Sequence, residues 1–168
     1  ADEALDLARR AGARTQIGFL EAVISQRHYT EGDWDAALAT WGPMIDDPGY
    51  APPMWATLVC RRAIVRLARG DEQGAREDVD RALERSRVRH ESLPDALATA
   101  ARVHAELGAL DRARRYAEEL VADPRSDPNP YVTAGPVLAE LGVGEKVRAK
   151  LEPGTESSAL IPPVLAQA

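Results

Sequence analysis

Four segments of the chain align on a glycine: EGDWDAAL at Gly32, RGDEQGAR at Gly70, LGALDRAR at Gly108 and LGVGEKVR at Gly142. The glycines stand 38, 38 and 34 residues apart, and five residues after each comes a small or short side chain, Ala37, Ala75, Ala113 or Val147. A recurrence at this period marks a stacked array, in which each unit is one supersecondary element that cannot bury its apolar face alone. It constrains the fold more than any figure of composition.

Each glycine follows one helix-compatible segment and precedes another. In PMWATLVCRRAIVRLARG the residues Trp55, Val59, Ala63 and Leu67 share one helical face. Behind Gly70, Ala75, Val79 and Ala82 line one face and charges the other. The unit therefore reads as helix, tight turn, helix, with the glycine turning the chain and Asp33 or Asp71 placed to cap the helix that follows. Pro-rich breaks, DDPGYAPP at 46–53 and ADPRSDPNP at 122–130, separate the pairs. RHESLPDA offers Ser92 as an N-cap, with Pro94 in the first turn and Asp95 three residues after the serine. Strand-like alternation and Asn-Gly hairpin signals are absent, and an apolar set of mainly Ala, Leu and Val with 5% aromatics suits close helix packing. The expected fold class is all-α.

The first unit, with Gly32, Asp33, Trp34, Ala37 and Trp41, carries a second-helix signature that resembles the tetratricopeptide repeat (TPR), and LGALDRA followed by Pro124 repeats it in the third. The resemblance implies antiparallel helix pairs stacked in a right-handed TPR-like superhelix, forming a single domain over 1–168. Residues 1–13 would be the second helix of a preceding repeat, 14–50, 51–90 and 91–127 three repeats, 128–154 a degenerate fourth, and 155–168 the start of a further helix. The chain departs from the pattern where a large aromatic is expected four residues before the turn glycine, a place held by His28, Arg66 and His104. Gly42-Pro43 also falls inside the second helix of the first unit, where proline removes a donor. The Arg/Ala-rich style and the tail YVTAGPVLAELGVGEKVRAKLE are similar to the C-terminal repeat regions of large bacterial LuxR-family ATP-dependent transcriptional regulators and of ATPase-containing adenylate/guanylate cyclases. That second resemblance implies a regulatory array whose effector lies outside these residues. Ala1 opens inside a helical pattern, which points to a piece of a longer chain.

Catalytic signatures are missing. There is no Gly-rich loop ending in Gly-Lys-Ser/Thr, no His-Glu-x-x-His, no Cys-x-x-Cys and no Gly-x-Ser-x-Gly. Gly142-Val143-Gly144 follows a helix and reads as a turn. His28 and His104 are two 38-residue units apart, so one recurring packing niche explains them better than catalysis, and His90 lies in a loop. Cys60, the sole cysteine, lies on the apolar side of a helix as a core filler, and one cysteine excludes an internal disulfide or thiolate cluster. The reading is not an enzyme, with no metal and no cofactor, in a reducing cytoplasm.

A net charge of −6 argues against a nucleic-acid or anionic-membrane surface, and no stretch is apolar enough to cross a bilayer. The run Arg85, Arg87, Arg89 and His90 reads as cations complementing a helix C-terminus, with an anionic partner as the other reading. In the TPR register the concave groove would hold Gln26 and Tyr29 from the first unit, Ile64 from the second, and Arg102 and Glu106 from the third. The places of a tail-carboxylate clamp hold Ala22, Gln26, Cys60 and Ile64, which disfavours that ligand. The resulting expectation is a non-catalytic protein-interaction or sensor scaffold for a protein or peptide partner, which could be another domain of the same polypeptide. The alternative is a small-molecule or peptide-signal receptor controlling an attached effector. End helices near 1–12 and 156–168, lacking neighbours, would favour homo-oligomers.

Overall fold

The computed structural model describes residues 2–46, 54–89, 92–123 and 129–151. Among them all regular structure is α-helical: α1 (Asp2–Arg10), α2 (Arg14–Glu31), α3 (Trp34–Asp46), α4 (Trp55–Ala68), α5 (Glu72–Arg89), α6 (Leu93–Glu106), α7 (Leu110–Ala122), α8 (Asn129–Glu140) and α9 (Gly144–Leu151). None is long and apolar enough to span a membrane.

One turn recurs. Gly12, Gly32, Gly70, Gly108 and Gly142 all adopt positive φ, between 66° and 83°. At each, the residue after the glycine donates its N–H five residues back, as in Asp33 to His28 (2.9 Å), Asp71 to Arg66 (2.9 Å), Ala109 to His104 (2.8 Å) and Val143 to Leu138 (3.1 Å). This bond, with a second from the glycine itself, satisfies carbonyls that the helix end would leave open, and only glycine takes the left-handed conformation without strain. Two aspartates complete the turns: Asp33 Oδ1 accepts from the Ala36 N–H (3.2 Å) and Asp71 Oδ1 from the Gly74 N–H (2.9 Å). Ser92 occupies the start of α6 but does not cap through its side chain, because its own backbone sits in the left-handed region, φ 52°.

The residues five past the turn glycines are where helices close on one another. Ala37, Ala75 and Ala113 are fully buried and Val147 nearly so. Helix pairs α2 and α3, α4 and α5, and α6 and α7 pack tightly, and α6 also packs on α4, α5 and α8. Four neighbours around one helix explain the alanine-rich DALATAARV: Ala96, Leu97, Ala98, Ala100, Ala101 and Val103 have no exposed surface. Small side chains are needed on every side of a helix enclosed in this way.

Pro43 and Pro136, the prolines beyond the first turn of a helix, face outward. Pro43 and Ala39, the residue whose carbonyl loses its donor, are both exposed, so α3 continues to Asp46 with water able to satisfy that oxygen. Polar groups lock the helix ends together. The Trp55 indole N–H donates to the Ile45 carbonyl (3.1 Å), and Tyr131 donates to Leu120 O (3.1 Å). The Lys150 ammonium donates to the carbonyls of Val121 and Asp123 at the end of α7, where a cation also suits the helix dipole.

Beneath α4 and α5 lies a buried ion network. Arg62 donates through Nε (2.8 Å) and Nη2 (2.6 Å) to the Asp78 carboxylate, and Arg66 Nη1 adds a third bond (3.0 Å). Asp46 of α3 reaches Arg62 at 3.4 Å. Burial would lower the Arg62 pKa, but the hydrogen bonds and charge of Asp78, and then Asp46, overcome it and raise the value above its ordinary range.

Candidate partner-binding face

Of the residues expected to line a groove, Gln26 and Tyr29 lie on α2, Ile64 on α4, and Arg102 and Glu106 on α6, the first helices of successive pairs. The two seams between these helices differ. The backbones of α4 and α6 approach closely, and Cys60 and Thr99 hydrogen-bond across that contact. Those of α2 and α4 approach less closely. Larger side chains fill the space, with the Arg61 guanidinium 5.9 Å above the centroid of the Tyr29 ring.

Two buried polar atoms on these helices, Arg61 Nη1 of α4 and Gln26 Oε1 of α2, make no hydrogen bond among the described residues. Arg61 forms no ion pair among the described residues. Burial lowers its pKa from the ordinary arginine value, and Tyr29 and Asp95 act in the opposite direction from a distance. A guanidinium nitrogen withdrawn from water without an acceptor is an uncommon and costly arrangement.

Of the expected residues, Gln26 and Tyr29 are half-buried on α2, and Tyr29, which lies under Arg61 of α4, also packs on Trp41 at 5.7 Å. Ile64 is 9% exposed and belongs to the apolar core cluster. Arg102 and Glu106 pair with each other on one face of α6 (Nε to Oε1, 2.7 Å), partly exposed. Sequence reasoning passed over Arg61. Its signal was the doublet Arg61-Arg62 inside a largely apolar helix, in which only one of the two has an anionic partner among the described residues.

The residues four before the turn glycines have different surroundings despite their shared register. His28 Nδ1 lies 3.7 Å from Asp33 Oδ2, Arg66 bonds Asp78 and the Gly74 carbonyl, and His104 is buried and stacked on Tyr116 at 5.5 Å. The register is kept, since Asp71 beside Arg66 stands where Asp33 does and Tyr116 where Asp78 does, but the side chains filling those places differ, so one position makes an ion pair, hydrogen bonds or a ring stack in different units. Burial, then Arg112, lowers the His104 pKa below its ordinary 6.5. Burial raises that of Cys60 to about 12 against the opposing Thr99 hydrogen bond, so the thiol stays protonated. No group of three or more His, Cys, Asp and Glu side chains among the described residues is arranged to hold a metal ion. His90 and residues 155–168, for which roles were expected, lie outside the described residues, as does the side chain of Arg89.

Comparison with protein-family models, with curated proteins and with solved structures returns no match for this chain.

Proposed function

We propose that the chain is a non-catalytic interaction scaffold, a TPR-like segment of a larger bacterial signalling or transcriptional regulator in the cytoplasm. Its right-handed stack of helix pairs would present α2, α4 and α6 to a protein or peptide segment, which could be another domain of the same polypeptide. One observation carries the reading: Gln26 Oε1 of α2 and Arg61 Nη1 of α4 are buried without partners among the described residues, and Arg61 lies over the Tyr29 ring where α4 meets α2. Extended peptides are recognised by such pairs, since each main-chain unit offers one N–H and one carbonyl.

The test is a selection of binding peptides from a random library, followed by measurement of the winners on Gln26→Ala, Tyr29→Ala and Arg61→Met. Losses of ~10-fold or more, the equivalent of one or two hydrogen bonds to a charged group, support the seam. Winners indifferent to all three changes count against it. A metabolite panel read by thermal shift covers the receptor alternative, because a ligand at 100 times its Kd adds about 2.7 kcal/mol of stability.

A further inference from the structure

Among the described residues α1 packs closely on α2 alone, whereas every other helix has at least two such neighbours. Leu5 and Ala8 are buried on its covered side, and Arg9 reaches Glu21 of α2 (3.1 Å). The opposite side of α1 carries Glu3, Leu7 and Arg10, all exposed, with Leu7 at 62%. Glu3 and Arg10 share it because a separation of seven residues falls within ~20° of two full helical turns, and Leu7 comes one turn after the glutamate. Neither Glu3 nor Arg10 forms an ion pair among the described residues. Asp6, at the flank of this side, has Arg9 of its own helix 3.9 Å away.

We propose that this side of α1 docks on the same side of α1 in a second copy of the chain, the two helices running antiparallel about a two-fold axis. A two-fold contact must be self-complementary, and antiparallel pairing makes this one so: Glu3 of each copy meets Arg10 of the other, and the two Leu7 side chains cover each other between the ion pairs. Parallel pairing would set like charges together. The order of acid first and base last also suits the dipole of α1 itself, but the dipole does not call for an exposed leucine midway between the charges. Two helices of nine residues cover less than the ~1,200 Å² of a standard interface, so the pairing is weak and reversible. It is independent of Gln26, Tyr29 and Arg61, none of which lies on α1.

Sedimentation equilibrium over a series of concentrations, up to the highest that stays soluble, reads the pairing. The chain is expected to form a dimer that weakens as salt rises. Leu7→Asp, Glu3→Lys and Arg10→Glu should each raise the dimer dissociation constant ~10-fold or more, because the symmetry counts every change twice. An equimolar mixture of Glu3→Lys and Arg10→Glu should pair nearly as well as the parent, since in the mixed dimer one ion pair re-forms as it was and the other with its charges exchanged. The double variant Glu3→Lys/Arg10→Glu should likewise pair with itself. Leu110→Ser, which removes a comparably exposed leucine from α7, and Tyr29→Ala should change nothing. Any charge-reversed variant that loses helix signal by circular dichroism is replaced by Glu3→Gln or Arg10→Gln, and Leu7→Asp by Leu7→Ser, each of which should still weaken the dimer. The proposal is overturned by a parent that stays monomeric, by a dimer indifferent to the folded variants, or by folded Glu3→Lys and Arg10→Glu chains that fail to pair when mixed.

Discussion

Asp78 is the point at which removing one side chain should cost most. Its carboxylate has no exposed surface and accepts three hydrogen bonds of 3.0 Å or less from Arg62 and Arg66. Asp78→Ala leaves Arg62, 5% exposed, with Asp46 as its remaining anion at 3.4 Å. Breaking a buried pair by deleting one partner costs about 3–5 kcal/mol, and the surviving Asp46 contact places this case near the lower end. For a chain of this size that corresponds to a fall in Tm of roughly 6–12 °C. The cause would be an uncompensated charge and not a lost attraction, so Arg62→Met/Asp78→Leu, which removes both charges and keeps volume, should return to within ~1 kcal/mol of the parent. Urea denaturation at pH 7 followed by circular dichroism compares Asp78→Ala with the parent and measures the cycle of parent, Arg62→Met, Asp78→Leu and their double, with an unchanged denaturant slope as the check that the same transition is compared. A double variant as unstable as the sum of the two singles would refute the reasoning.

Four further outcomes are expected. Gly70→Ala meets no atom within 4 Å but keeps φ at +81°, so its cost is backbone strain alone, ~1–2 kcal/mol, and a urea midpoint equal to the parent's would show that the turn relaxes. Because the His104 pKa is lowered in the folded chain, the unfolded state binds more protons as pH drops through 6.5; stability should fall below that pH by at most ~1.4 kcal/mol per unit relative to His104→Phe, and parallel pH profiles would contradict this. Cys60 should react with a thiol reagent at pH 8 only as fast as the chain opens, so labelling at the rate of a free thiol in the folded protein would disprove its burial. Leu7 and Phe19, 62% and 60% exposed on α1 and α2, should favour self-association; Phe19→Ser should lower the sedimentation-average mass at high concentration, and a parent that is strictly monomeric there would dismiss the idea.

What could be read without the structure was local. A glycine followed by a capping aspartate and, five residues on, an alanine states a turn and a close helix approach in one short stretch, since backbone strain and side-chain size act within a few residues. Those features carried the all-α reading, the turn positions and the buried alanines. Cys60 was legible as a core residue for a similar reason, its neighbours on the apolar side of one helix. What tertiary structure alone decided is the fate of polar residues that look alike in the sequence. Arg61 and Arg62 are adjacent, yet one helical step turns them about 100° apart. Arg62 meets Asp78 of α5, and Arg61 meets the ring of Tyr29 and no acceptor. His28 and His104 share a register and face different neighbours, and Trp55 becomes a platform only because Arg81 and Arg85 fall over it from the next helix. Burial and charge pairing depend on which surfaces are brought together across the stack, information that no helix carries within its own span.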